Sequence, residues 1–276
     1  MKMCDVMRVS RSGYYSWLGR KPSRREEETR VLLEEIKQIH KDSKEILGSP
    51  SICSELNDKG LKCSRPRVAR IMRKNGIRSK IKRKFKVTTN SKHTYSVCPN
   101  LLSERPEASH IDEHWLADIT YIRTQEGWLY LSAVMDERRR KIISWLTSTS
   151  LSKEIVTKAI WIALKQRTKT PGIETIFHSD RGRQYAATAT KNMLKEQGIL
   201  QSMSGKGNCY DNATMESFFH TLKVQHVYHH NYKTRKDAIA SLFWYIEVFY
   251  NRRKKHSALG NLSPQAFEER EREKAA

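Results

Sequence analysis

The sequence predicts an α/β protein: a mixed sheet flanked by helices, preceded by a small all-α domain. Three observations carry that prediction. Strand-like stretches follow in close order at about 113–123, 128–135 and 141–147, parted by tight turns such as Gln125-Glu126-Gly127, which reads as an antiparallel meander. Beyond them helical patterns alternate with short strands, the signature of a sheet with helices packed on it. Before them the chain shows only helical periodicity, and its charge is strongly positive.

The amino-terminal helices come first. From Arg24 to Lys41 the residues Leu32, Ile36 and Ile39 recur at i, i+4 and i+7, with Leu33 beside them. A second, short helix fits Ser51 to Lys59, opened by Pro50 and closed by Gly60. Ser64 is placed to cap a third, with Pro66 in its first turn and Gly76 at its end. On that helix Val68, Ile71 and Met72 form one apolar stripe, and Arg65, Arg67, Arg70, Arg73 and Lys74 lie largely off it. Two short helices joined by a tight turn, the second basic, fit a helix-turn-helix that inserts its second member into a DNA major groove. An ordinary helical bundle with a charged exterior fits the same pattern. The run "IRSKIKRKFK", with Lys82, Arg83 and Lys84, continues the charge without a stripe and reads as an arm that grips phosphates.

The remaining elements complete the sheet. A helical pattern covers about 152–167, and the short strand "ETIFHS" ends directly at Asp180. A helix at about 186–197, a strand at 199–203 and a helix at 213–226 follow. A last amphipathic helix spans about 234–252, with Leu242, Ile246 and Phe249 along one face. This order is the one expected of a ribonuclease-H-like fold.

Charge sets the class of partner. Lys and Arg number 52 against 30 Asp and Glu, for a net +22, and residues 1–108 alone carry 26 basic and 12 acidic side chains. No acid occurs between Asp58 and Glu104. A clustered excess of this kind predicts a polyanion, most simply nucleic acid. No apolar run approaches the roughly 18 residues needed to span a bilayer, and the start "MKMCDVMRVSRSGYYSW" has no continuous apolar core, so no secretory signal is expected. The five cysteines show neither paired spacing nor CxxC, which argues for a reducing compartment and against zinc. A soluble cytoplasmic protein is the expectation.

Three carboxylates stand where carboxylates are costly. Asp118 sits mid-strand in "WLADITYI", among Trp115, Leu116, Ile119 and Ile122, where aspartate is depleted. Asp180 ends a strand in "HSDRGRQY", and Glu216 opens a helix in "DNATMESFFHTLK" that Asp211 or Asn212 can cap. Met215, Phe218, Phe219 and Leu222 form that helix's core face, and Glu216, His220 and Lys223 share the neighbouring strip. Acidic oxygens from three separate segments are the ligand set of a hard divalent cation, which offsets their desolvation and supplies chemistry on a phosphodiester. Lys223, two turns from Glu216, is placed to hold a phosphate. Asp136 also ends a strand, but "ERRR" after it reads as a solvated turn; His178 and His220 read as packed or surface residues before ligands.

These motifs, in this order, resemble the catalytic subunit of bacterial insertion-sequence transposases encoded in two reading frames, within the integrase-core (DDE) group that includes retroviral integrases. The resemblance runs from about Val9 to Phe267 through "VSRSGYYSW", "DITYI", "GWLYLSAVMD", "FHSDRGRQY", "SMSGKGNCYDNATMESFFHTLK" and "FYNRRKKHSALGNLSPQAFE". Arg183, Ala187 and Asn261 depart from the family pattern without touching the acids.

The resemblance implies that Asp118, Asp180 and Glu216 bind two magnesium ions, manganese being able to substitute, and that Lys223 contacts the DNA end. It implies metal-dependent cleavage at element ends followed by 3′-hydroxyl strand transfer into double-stranded DNA. It also implies an upstream-frame partner or fusion carrying a helix-turn-helix and leucine zipper, and self-association at least to a dimer. The expected division is a helical remnant at 1–23, the helix-turn-helix domain with its basic arm at 24–86, a linker at 87–108, the catalytic core at 109–270 and a charged tail at 271–276. A DNA-binding regulator with a relic catalytic fold, and a ribonuclease-H-type nuclease, are the alternatives.

Overall fold

The computed structural model describes residue 4 and residues 6–80, 98–103, 107–168, 172–205 and 212–275. They fall into two compact units, Met1–Lys80 and Ile81–Ala276.

The first unit is helical. Helix α1 (Arg11–Leu18), capped by Ser10, buries none of its residues. Helix α2 (Arg24–Asp42) opens with a capping box between Ser23 and Glu26 and buries Leu32, Ile36 and Ile39, the stripe its sequence prescribes. Helix α3 (Ser49–Asp58) carries Pro50 in its first turn and buries Ile52, Cys53 and Leu56. Helix α4 (Arg65–Lys74) buries Val68, Ile71 and Met72, and Gly76 follows it at φ 68°, the left-handed stop that glycine adopts without a Cβ penalty. α2, α3 and α4 pack mutually and merge their stripes into one small core. Ser64 precedes α4 but its side chain makes no cap bond, so the proline alone sets the start.

The second unit is built on a five-stranded sheet of order β3-β2-β1-β4-β5. Strands β1 (His114–Thr124), β2 (Gly127–Asp136) and β3 (Lys141–Ser148) form the antiparallel meander, and β4 (Ile176–Ser179) and β5 (Leu200–Met203) add in parallel. Helix α5 (Lys153–Gln166), the short α6 (Arg183–Ala186) and α7 (Thr188–Glu196) supply the connections. On one sheet face Trp115, Ala117, Val134 and Phe177 join Ile155, Val156, Ala159 and Ile160 of α5 in the main core. Helix α8 (Ala213–Gln225) and helix α9 (Arg235–Phe243) also pack against β1. Helix α10 (Pro264–Ala275) closes the chain.

The final long helix is not uniform. α9 passes into a π-helical stretch, Trp244–Tyr250, which stacks Trp244 on Phe249 and sets Phe218 edge-on to Tyr250 at 4.7 Å. Asn251, at its end, accepts from Ile142 N with Oδ1 and donates to Ile142 O with Nδ2, both at 3.0 Å. The side chain thereby takes the place of a neighbouring strand on the edge strand β3. A π turn leaves the apolar pattern of the sequence intact, so nothing in that pattern announces it.

Candidate active site

The sheet register brings the first two acids together. β1 and β4 pair in parallel up to Ala117 with Ser179, and the next residue on each strand is Asp118 and Asp180. Neighbouring strands lie about 4.8 Å apart, so the two carboxylates leave the sheet side by side where β4 ends. By strand alternation Asp118 faces away from the α5 core, which takes its neighbour Ala117.

Helix α8 delivers the third acid. Asn212, at its start, is buried and donates from Nδ2 to Ala117 O at 3.4 Å, on the carbonyl preceding Asp118. Its side chain makes no cap bond to the helix it precedes: Nδ2 points to β1 and Oδ1 accepts from no backbone N–H of α8. Glu216 follows in the first turn of α8 and is exposed; Lys223 lies in the last turn.

Electrostatics registers the convergence. Burial, with Asp180 and then Glu216 nearby, pushes the Asp118 carboxyl up to about 8. Glu216 is also raised, by burial and by Asp180. Burial lowers Lys223, and Asp118 opposes that shift. Each of the three acids thus feels another, and Lys223 feels the first.

Local bonds hold the two aspartates in the present orientation. Asp118 Oδ1 accepts from Ile119 N at 2.7 Å and Asp180 Oδ1 from Gly182 N at 2.9 Å. Among the described residues no group of three His, Cys, Asp or Glu is gathered tightly enough to hold an ion as it stands. The donor set nonetheless fits a hard divalent cation: three carboxylates, of which Asp118 and Glu216 are raised by burial and by their acidic neighbours.

Other side chains brace the site. Gly182 was not singled out from sequence, yet a Cβ there would fall 2.8 Å from Asp180 Oδ1, so only glycine fits beneath that carboxylate. The signal was legible as Asp-x-Gly at a strand end, an Asx-turn pattern. His178 is fully buried, with Nδ1 at 2.8 Å from Ser202 Oγ and Nε2 at 3.0 Å from Ser204 Oγ. Arg181 Nε donates to Ser204 O at 2.8 Å. These bonds tie β5 to the strand bearing Asp180, the packed role expected of His178; His220 is exposed.

Asp136 corrects an expectation. Far from a solvated turn, it is fully buried and accepts from Asp112 N and Arg139 N at 2.6 and 3.0 Å. Of the arginines after it, Arg139 turns inward, where it meets Asp112, Asp136 and Glu268, while Arg138 stays exposed.

In the helical unit Arg65, Arg70, Arg73 and Lys74 are exposed, whereas Arg67 is partly buried and pairs with Glu28 at 3.3 Å. Lys82, Arg83 and Lys84, and residues 206–211 of the 204–212 loop, lie outside the described residues.

Comparison with known proteins meets this geometry. The chain matches the Integrase core domain family over residues 108–209 and again over 197–264, and the HTH-like domain family over 26–85. It is 43% identical over 274 residues to the insertion element IS600 uncharacterized 31 kDa protein of Shigella sonnei, covering 99% of this chain and 100% of that one. It is 38% identical over 275 residues to transposase InsF for insertion sequence IS3A of Escherichia coli K12, covering 96% of this chain and 92% of that one. The chain belongs to this family of insertion-sequence transposases. It is thus a DNA transposase with an integrase core and an HTH-like domain, and its family implies use of divalent metal and binding of DNA. Among solved structures, the catalytic core domain of BIV integrase is similar at a TM-score of 0.44 and 18% identity over 60% of this chain and 99% of that one, a likeness too low to carry weight. In this transposase no helix among the described residues is long and apolar enough to cross a membrane.

Proposed function

We propose that Asp118, Asp180 and Glu216 are the catalytic triad, and that the transposase cleaves element ends and joins the freed 3′-hydroxyl to a second phosphodiester. The observation that carries this reading is the register of β1 and β4, in which Asp118 and Asp180 are the first residues past the last pair. The three acids would hold two magnesium ions, manganese being able to replace them. Ions bound there polarise the phosphodiester and the attacking and leaving oxygens.

The remaining work belongs to the chain itself. Asn212 fixes α8 to β1 and so sets Glu216 against the aspartates. Gly182 N holds one Asp180 oxygen and Ile119 N one Asp118 oxygen, which limits how each carboxylate rotates. Lys223 offers a cation to a backbone phosphate beside Asp118. Water cleaves first; the resulting 3′-hydroxyl then attacks another phosphorus, one P–O bond forming as one breaks, with no covalent protein–DNA intermediate.

Residues 24–86 would grip duplex DNA through Arg65, Arg70, Arg73 and Lys74, with Arg67 supporting α4 through Glu28 and Lys82, Arg83 and Lys84 adding phosphate contacts. Residues 109–270 would carry the chemistry, 87–108 would link the two, and 1–23 and 271–276 would flank them. Two element ends need two active sites, so we expect self-association on DNA, and an upstream-frame helix-turn-helix/leucine-zipper partner or fusion. The working location would be the bacterial cytoplasm, at the nucleoid.

The test is incubation of the full chain with element-end DNA and Mg²⁺, scoring joined products by sequencing. Joined products lost in Asp118→Asn, Asp180→Asn and Glu216→Gln are the expected outcome. Cleavage without joining, or activity on RNA–DNA hybrids alone, would favour a nuclease; no metal-dependent nicking would favour a regulator.

A further inference from the structure

An aromatic and cationic shelf lies on β1 just beyond the acids. Tyr121, three residues after Asp118, meets Trp128 of β2 edge-on at 5.1 Å with an interplanar angle of 87°. Trp128 is 46% exposed, although tryptophan is the most costly side chain to leave in water. Arg123 is exposed on the same face, since Tyr121 pairs with Tyr130 and Arg123 with Trp128 in the register. Beside them lies a shallow cleft of about 340 Å³ lined by Arg123, Thr124, Gln125, Gly127 and Trp128. Arg235 Nε donates to Trp128 O at 3.3 Å and adds a further cation at the hairpin.

The shelf is continuous with the acids. Among the described residues β1 pairs with β4 only as far as Ala117, and α8 packs against β1. Lys223 of α8 stands with Nζ 5.0 Å from the Tyr121 ring centroid while feeling the charge of Asp118. One cation therefore spans from the carboxylate cluster to the half-buried Tyr121 ring, which in turn meets the exposed Trp128. Along β1 the backbone positions of Asp118 and Tyr121 are about 10 Å apart, with their side chains on opposite faces of the strand, so a strand of DNA rounding its edge covers the distance in about three nucleotides.

Exposed rings flanked by cations are the composition that binds unpaired nucleic acid: cations take the phosphates and π-faces take bases without regard to sequence. Paired bases bury their faces in the duplex and have none to offer. We propose that Trp128 and Tyr121 form a stacking subsite for an unpaired base of the DNA end, within about three nucleotides of the phosphate at the acids. This rests on the triad reading for its position. It adds a specificity: the transposase distinguishes an opened DNA end from a closed duplex.

The test uses the full chain in EDTA, where cleavage is silent, with a forked duplex whose short unpaired tail carries a fluorescent adenine analogue, and the blunt duplex of the same sequence. The wild type should prefer the fork and alter the analogue's emission on binding. Trp128→Ala should weaken fork binding by about tenfold with blunt binding unchanged, and Trp128→Phe and Tyr121→Phe should keep most of the preference. Thermal melting confirms that each variant is folded. An unchanged fork preference in Trp128→Ala, equal losses on fork and blunt DNA, or a shift in sedimentation that marks Trp128 as a contact between copies would each overturn the proposal. Asp118→Asn separates the two readings: it should bind the fork like wild type in EDTA yet join no strands in Mg²⁺, so an active Asp118→Asn sinks the triad and leaves the shelf to its own assay.

Discussion

Two clusters of three carboxylates sit on the same sheet and are balanced in opposite ways. At one end Asp112, Asp136 and Glu268, each 5% exposed or less, surround Arg139. Arg139 reaches Asp112 Oδ1 at 3.2 Å, Asp136 Oδ2 at 3.5 Å and Glu268 Oε1 at 2.7 Å, and Lys141 adds 2.6 Å to Glu268 Oε2. Trp115 Nε1 and Thr168 N occupy the oxygens of Asp112. At the other end, beside Asp180, burial and acidic neighbours push the Asp118 carboxyl up to about 8 and raise Glu216. A cluster that carries its own cation is finished by folding. In the second cluster the carboxyls of Asp118 and Glu216 are raised instead, and a cation from solution would relieve them, which supports our proposal that these acids are the site.

The sharpest break of this comparison is to neutralise one charged group in each cluster, an acid in one and the central cation in the other. Asp180→Asn should lower strand joining by roughly a thousandfold, several kcal/mol of transition-state stabilisation, while leaving duplex binding and unfolding nearly unchanged. Arg139→Met should do the reverse. It leaves Asp112 and Asp136 buried without their guanidinium, while Glu268 keeps Lys141 and Arg272, and should cost about 3–5 kcal/mol in equilibrium denaturation followed by tryptophan fluorescence, with normal activity per folded molecule. If Arg139→Met instead abolished joining in folded protein, the two clusters would not be separable.

Metal and pH sharpen the contrast. A divalent ion at about one hundred times its Kd should stabilise the wild type by about 2.7 kcal/mol in thermal unfolding, and Asp180→Asn should lose most of that gain. Without metal, Asp118 binds its proton more tightly in the folded chain than in the unfolded one. Its contribution is therefore complete below about pH 4 and declines as pH rises towards 8, so Asp118→Asn should gain on wild type across that window. Added Mg²⁺ should reverse the decline. Glu268 is the mirror image: burial raises its carboxyl, but Lys141 and Arg139 outweigh burial and lower it. Its contribution is present above about pH 4.5 and lost on acidification, so wild type and Glu268→Gln should converge there. Asp136, raised to about 6 by burial against the pull of Arg139, works against Glu268 within the same cluster; single substitutions are needed to part them.

The same contrast explains what could be read from the sequence. The site was legible because each of its acids interrupts an apolar pattern, and a carboxylate there needs an external reason: Asp118 between Ala117 and Ile119, Asp180 at the end of "IFHS", Glu216 at a helix start. The three-helix stripe of α2 to α4 and the meander were legible because their periodicities are local. The Arg139 cluster was not. Glu268 lies 129 residues from Arg139, and "DERRR" reads as a solvated turn until the partner helix is in place. Asn212 was read as a candidate helix cap because capping is the local use of asparagine; instead its Nδ2 donates to the distant Ala117 O, and Oδ1 makes no cap bond. The π turn at Trp244–Tyr250 left no local trace either.

The flanking cations give the smallest and most discriminating difference. Lys223 and Arg272 both sit in the last turn of a helix beside an acid cluster. Arg272 pairs with Glu268 at 2.6 Å, but its side chain is 70% exposed and Arg139 already answers that carboxylate. Arg272→Ala should therefore change stability by about 1 kcal/mol or less and leave joining untouched. Lys223 is partly buried, and no carboxylate is bonded to it among the described residues, so its charge remains available to a phosphate. Lys223→Ala should weaken capture of a DNA end by about tenfold, one charge-assisted contact, while Mg²⁺-induced stabilisation stays at the wild-type level. Unchanged end capture would return Lys223 to the surface, and an altered metal response would make it part of the acid cluster's own balance rather than a hand held out to DNA.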